Sequence, residues 1–119
     1  QHMTTAARLN NMAMAKAFCD VIEAAGYKTY VYGSPSKLRK AFSYTELAAR
    51  SEIWLARYRW SDDVLQFNNE ETRDMVYDLG YEGGNYTNLS NVKMWQYTCY
   101  GKVNGISGYV DLDLGYRSY

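Results

Sequence analysis

The chain has 119 residues, enough for one ordinary domain, and its 47% hydrophobic share fits a globular fold. Thirteen basic and thirteen acidic residues cancel, so nothing in the charge points to nucleic acid or to an anionic membrane surface. No apolar run approaches the roughly 20 residues of a membrane span, and no secretory leader is legible at the start. The single histidine, His2, stands beside the first residue, which excludes Ser-His-Asp and Cys-His chemistry and the usual His-based zinc sites. Cys19 and Cys99 read as two small buried residues rather than a disulfide framework. No cofactor and no metal is implied, and catalysis would rest on carboxylates, tyrosines, lysines or thiols. Thirteen tyrosines, three tryptophans and three phenylalanines are the unusual feature. Aromatics with a polar tip suit a wet, concave surface, where ring faces pack on the C–H face of a sugar and hydroxyls bond its edge; a tyrosine-rich core is the alternative.

Thr4-Thr5-Ala6-Ala7-Arg8 opens a helix that either threonine can cap. Leu9, Met14, Phe18, Val21, Ile22 and Ala25 recur at three- and four-residue steps and predict an apolar stripe packed on a sheet, with Arg8, Lys16, Asp20 and Glu23 mostly off it. Gly26 ends the helix as a left-handed cap. Residues 28–33 are β-branched and aromatic and predict a strand. Ser34 and Pro35 start a new helical turn, with Leu38 and Phe42 as its buried side. Ser43-Tyr44-Thr45-Glu46 fits a capping box for the helix after it. Residues 52–58 predict a second strand, in which Ile53, Leu55 and Arg57 alternate with Trp54, Ala56 and Tyr58. The small Ala56 between two aromatics leaves room for something.

Residues 59–91 form an acidic insertion with Asp62, Asp63, Glu70, Glu71, Asp74, Asp78 and Glu82. No EF-hand spacing of glycine and glutamate occurs there, and the segment reads as a solvated excursion with a helix from Asn69 through Asp78. Asn85 and Asn88 head glycosylation sequons, which matter only in a secreted eukaryotic protein. Residues 92–98 then read as a buried strand. After a turn, Gly101-Lys102-Val103-Asn104-Gly105 leads to a last short strand carrying Val110-Asp111-Leu112-Asp113. The coarse order is α-β-α-β-insertion-β-β. The first two strands are joined by helices and are therefore parallel, whereas the last two lie too close for a crossover.

Four motifs in order carry a resemblance: Tyr30-Val31-Tyr32-Gly33-Ser34-Pro35, Ile53-Trp54-Leu55-Ala56-Arg57-Tyr58, Trp95-Gln96-Tyr97 and Val110-Asp111-Leu112-Asp113. The chain resembles the C-terminal half of glycoside hydrolase family 25, the Chalaropsis-type lysozymes. The resemblance implies an α/β fold, the C-terminal half of an irregular (β/α) TIM-like barrel, spanning residues 1–119 with the insertion at 59–91. It implies cleavage of the β-1,4 bond between N-acetylmuramic acid and N-acetylglucosamine, at the C-terminal ends of the strands. By the same resemblance Asp111 is the last-strand catalytic aspartate, and Tyr32, Tyr58, Trp95 and Gln96 hold or polarise the sugar. Asp113 falls where many members have Asn and is expected at the pocket rim or in a structural role.

One departure governs the chemistry. The family's Asp-x-Glu motif, whose Glu is the general acid, has no counterpart here, and Asp62-Asp63 and Glu70-Glu71 stand in the wrong place. Glycoside hydrolysis needs a raised-pKa acid on the leaving oxygen and a second supporting group. The chain alone is therefore expected to be inactive, with the parent protein a cell-wall or extracellular lysozyme acting on the peptidoglycan glycan strand. A non-catalytic glycan-binding module is the competing function, and an autonomous small α/β domain is the third. Half a barrel would leave open strand edges, so self-association or pairing with a missing half is expected.

Overall fold

The computed structural model describes residues 3–58, 65–66 and 91–115. Almost all of the acidic insertion, including its expected helix and both sequons, lies outside the described residues.

Helix α1 (Thr5–Ala24) begins where Thr4, in extended conformation, accepts a hydrogen bond from the Ala7 N–H at 3.2 Å. It ends at Gly26, whose φ of +91° lets the Tyr27 N–H turn back to the Ile22 carbonyl at 3.3 Å. Strand β1 (Tyr30–Gly33) follows directly. Helix α2 (Pro35–Ala41) has the expected start, with Pro35 in its first turn and the Ser34 hydroxyl accepting from the Lys37 N–H. Helix α3 (Tyr44–Arg50) starts after Ser43, but the serine side chain makes no capping bond, so the expected capping box is not formed by it. Strand β2 (Glu52–Ala56) comes next, then the two-residue β3 (Leu65–Gln66), the long β4 (Val92–Lys102) and β5 (Val110–Gly115). The predicted turn after Thr98 does not occur; the strand continues to Lys102.

The strands form one mixed sheet in the order β1-β2-β4-β3, with β5 on β4. Strands β1, β2, β3 and β4 run parallel, while β5 is antiparallel to β4. The expected half of a TIM-like barrel is corrected by this topology. A barrel needs every strand to have two neighbours in a closed ring of about eight. Here the sheet is open: among the described residues β1 pairs only with β2, and β5 only with β4. The hairpin loop 103–109 forces the last reversal, because it is too short for a parallel crossover.

Two clusters make the core. Leu38, Leu47, Ile53 and Leu55 join α2 and α3 to β2, with Val31, Phe42 and Met12 packed around them. Trp95, Tyr97 and Leu112 join β4 to β5, with Val103, Val110 and Leu114 beside them. Gly101 belongs to this second contact: a Cβ there would lie inside the van der Waals radius of Leu112 Cγ and 2.8 Å from the Val110 carbonyl oxygen. Asn91 ties the sheet to the helices, donating to the carbonyls of Ala48 and Ser51, each at 2.7 Å.

The apolar stripe of α1 does not pack as expected. Leu9, Met14, Phe18 and Val21 are 59–70% exposed, and Cys19 is the buried residue of that helix. What faces the rest of the molecule is largely polar. Arg8 donates to the carbonyls of Arg39 and Lys40, and Asn11 donates to that of Ala41, so both satisfy the last carbonyls of α2. Cys19 Sγ lies 3.4 Å from Ser51 Oγ, and Asp20 and Glu23 both pair with Arg50. The helix is thus docked through hydrogen bonds to helix ends, and its apolar residues line the outside of a groove with the edge strand β1.

Candidate functional site

Alternation along the strands divides the sheet into two faces. Register places Tyr32 beside Trp54, Ala56 beside Gln96, and Gln96 beside Asp113. These residues share one face. Leu55, Trp95 and Leu112 occupy the other, which is packed.

On the first face the side chains converge. Gln96 is 3% exposed, yet its Oε1 accepts from the Tyr32 hydroxyl at 2.7 Å and from the Tyr58 hydroxyl at 3.2 Å. Its burial is tolerable because the amide oxygen is fully used. Tyr32 stands edge-on to Trp54, with ring centroids 5.0 Å apart and planes at 65°. The Trp54 indole N–H donates to Asp113 Oδ1 at 2.7 Å. One continuous array therefore runs from Asp113 through Trp54 and Tyr32 to Gln96 and Tyr58, crossing β5, β2, β1 and β4. Tyr32 and Tyr58 then line a cleft of about 610 Å³ that reaches past Ala56 to Ser34 and Lys37 at the start of α2.

The electrostatics fit this reading. Burial, with the negative charge of Asp111 second in kind, holds the Asp113 carboxyl above its usual range, and the Trp54 N–H pulls the other way. Partial burial, then the Cys99 thiol, Tyr32 and Asp111, push the Tyr58 hydroxyl up to about 12, so it stays a proton donor over the whole physiological range. Asp111 is exposed on β5, on the same face as Asp113 two residues on. Among the described residues no hydrogen bond joins it to the aromatic array.

Of the residues that sequence points to, Tyr32, Tyr58 and Gln96 are brought together, and Asp111 lies near them. Trp95 is not with them. It sits in the packed face against Tyr97 and Leu112, with its indole N–H donating to the Arg57 carbonyl at 2.7 Å. The residues that sequence reasoning undervalued are Trp54 and Asp113. The signal was present, because the alternation that puts Ala56 and Tyr58 on one face of β2 puts Trp54 there as well.

The fold resembles part of a solved endolysin. The match is to the CTP1L endolysin, whose activity is regulated by a secondary translation product, with a TM-score of 0.52 and 22% identity. It covers 85% of this chain and 28% of that endolysin, so the chain corresponds to less than a third of the endolysin's length. No protein-family model matches the chain, and no curated protein does. At this identity the endolysin establishes the likeness of fold, and the aromatic array carries the chemical reading.

Proposed function

We propose that this chain is the glycan-holding part of a peptidoglycan hydrolase of the family 25 kind. Its parent would cleave the β-1,4 bond between N-acetylmuramic acid and N-acetylglucosamine at the cell wall. The observation that carries the reading is the convergence of Tyr32 and Tyr58 on Gln96 beside the Trp54–Asp113 pair. Aromatic faces and fixed polar tips on one open surface are what a sugar ring requires. The endolysin-like fold and the motif order support it.

The same geometry argues that the chain binds without cutting. Burial raises the Asp113 pKa, but the Trp54 N–H holds its ionised oxygen, which opposes proton donation. Asp111 would act as an electrostatic partner once an acid is supplied from elsewhere. Trp95 contributes through packing. Among the described residues no carboxylic acid lines the cleft.

Calorimetric titration with a muropeptide disaccharide, alongside a turnover assay on purified peptidoglycan, tests the reading. Binding by the unaltered chain, lost in Tyr32→Ala and Gln96→Ala and accompanied by no cleavage, is the expected result. Cleavage by the chain, abolished in Asp111→Asn, would overturn the inactive-fragment part of the proposal. Absence of any glycan binding would overturn the rest.

A further inference from the structure

The array around Gln96 does not exhaust the aromatic chemistry of its face. Farther along the β4–β5 hairpin, Gly101 and Val110 are cross-strand partners directed to the packed side, where Gly101 meets Leu112. Tyr109, two residues before Asp111, therefore falls on the face of Asp111 and Asp113, and although β4 shifts register twice between Gln96 and Gly101, contacts with the Tyr109 ring fix Tyr100 and Lys102 to that side. The three form a built group. Tyr100 and Tyr109 stand edge-on, with centroids 5.5 Å apart and planes at 76°. Lys102 Nζ lies 4.3 Å from the Tyr109 ring centre and donates to the Gly108 carbonyl at 2.7 Å. The positive φ of Gly105 and Gly108 shapes the loop that offers this carbonyl.

Two features make this more than a packed hairpin end. Tyr109 remains 56% exposed although it contacts both a ring and a cation. The Lys102 ammonium carries three donors, of which the carbonyl takes one, and it has no carboxylate partner among the described residues. A cation held in place beside an open aromatic ring is complementary to a sugar bearing a carboxylate. At about 3.3 Å per residue, Tyr100 lies at most roughly 13 Å along β4 from Gln96, the two register shifts between them shortening the span. That is farther than one sugar ring and within reach of a short oligosaccharide.

We propose that Tyr100, Lys102 and Tyr109 form a second saccharide contact, which takes a carboxylate-bearing sugar of the glycan strand whose neighbouring rings occupy the Gln96 array. The inference rests on the glycan-binding reading above and extends it to a longer, acidic ligand. Asp111 lies between the two contacts on the same strand face and keeps carboxylates away from the middle, so that Lys102 sets the register of the strand.

The test compares a muropeptide disaccharide, a tetrasaccharide of alternating N-acetylglucosamine and N-acetylmuramic acid, and an uncharged N-acetylglucosamine tetrasaccharide, each by calorimetric titration of the full chain. For the acidic tetrasaccharide, Tyr109→Ala and Lys102→Met should each weaken binding by about tenfold, as loss of a stacked ring or an ion pair implies. Disaccharide affinity should not change in either variant. Lys102→Arg should restore most of the loss. Lys102→Met should leave the uncharged tetrasaccharide unaffected and abolish the salt dependence of acidic-tetrasaccharide binding. Tyr109 is exposed, so the variants should stay folded, which melting curves would check. Wild-type affinity for the acidic tetrasaccharide in both variants would overturn the second contact while leaving the Gln96 site standing. Failure of the unaltered chain to bind any of the three would overturn the glycan reading and this inference with it.

Discussion

Asp113 shows how one side chain can stabilise a site and cost the fold something at once. Its carboxylate fixes the Trp54 ring, and through that ring the position of Tyr32. The folded-state pKa is raised, so the folded protein holds this proton more tightly than the unfolded chain does. The associated stability is present in acid, and it is lost as pH rises from the ordinary value of 3.8 through the folded-state value. Asp113→Asn keeps an acceptor for the indole and removes the charge. It should melt at or above the wild-type temperature at neutral pH, and the difference should vanish in acid. Asp113→Ala leaves the indole N–H without its partner and should cost about 1 kcal/mol in denaturant unfolding. The resemblance named Tyr32, Tyr58, Trp95 and Gln96 together by motif, and the geometry gathers the first two on Gln96. Motif order does not carry the face of each residue, and Trp95 lies on the packed side because adjacent strand residues face opposite ways.

At the scale of elements, the ends of α1 and the start of α2 followed from local chemistry, since Thr4, Ser34, Pro35 and Gly26 stand where capping and left-handed backbone require them, whereas the far end of β4 did not. The face of α1 did not follow. Periodicity identifies which residues are apolar and says nothing about what covers them, and here the covering contacts are made by Arg8, Asn11 and the Asp20–Glu23–Arg50 cluster. That cluster has a pH signature opposite to that of Asp113. Hydrogen bonds from Lys16 and Arg50 lower the pKa of Asp20, and those from Thr29 and Arg50 lower that of Glu23. Their stabilisation is fully present above the ordinary values of 3.8 and 4.5, and it is lost as pH falls through the lowered ones. Arg50→Met should therefore flatten the acid limb of a melting-temperature profile; an unchanged limb would show that α1 is held by other contacts. The β4–β5 pair depends on the absence of a side chain at Gly101. Gly101→Val forces Leu112 or the Val110 carbonyl to move and should destabilise the chain by about 2 kcal/mol or more, read by chemical denaturation.

For the whole molecule, the decisive property is that the sheet is open among the described residues. The motif order pointed to the strands and to their sequence along the chain, but closure of a sheet depends on how many strands meet, which no motif of this chain encodes. Strand β1 and the exposed Met14 and Phe18 of α1 border one groove. Among the described residues no strand lies outside β1, and a sheet edge beside apolar side chains favours pairing with another chain. Light scattering should show a mass that rises above the monomer with concentration, and Met14→Ser together with Phe18→Ser should lower that rise; a concentration-independent monomer mass would refute self-association through this groove.

The exposure of Tyr32 and Asp113, beside a buried Gln96, has a further consequence, in the dielectric. Charges facing bulk water interact at about a twentieth of the strength they would have in a dry interior. A group poised in water stabilises a developing positive charge only weakly, and enzymes gain most of their electrostatic leverage by excluding it. On an open sheet, therefore, the aromatic array can recognise a sugar but provides little driving force for breaking a bond. Any surface that covered this face would strengthen each of its polar contacts without altering a single residue of the site.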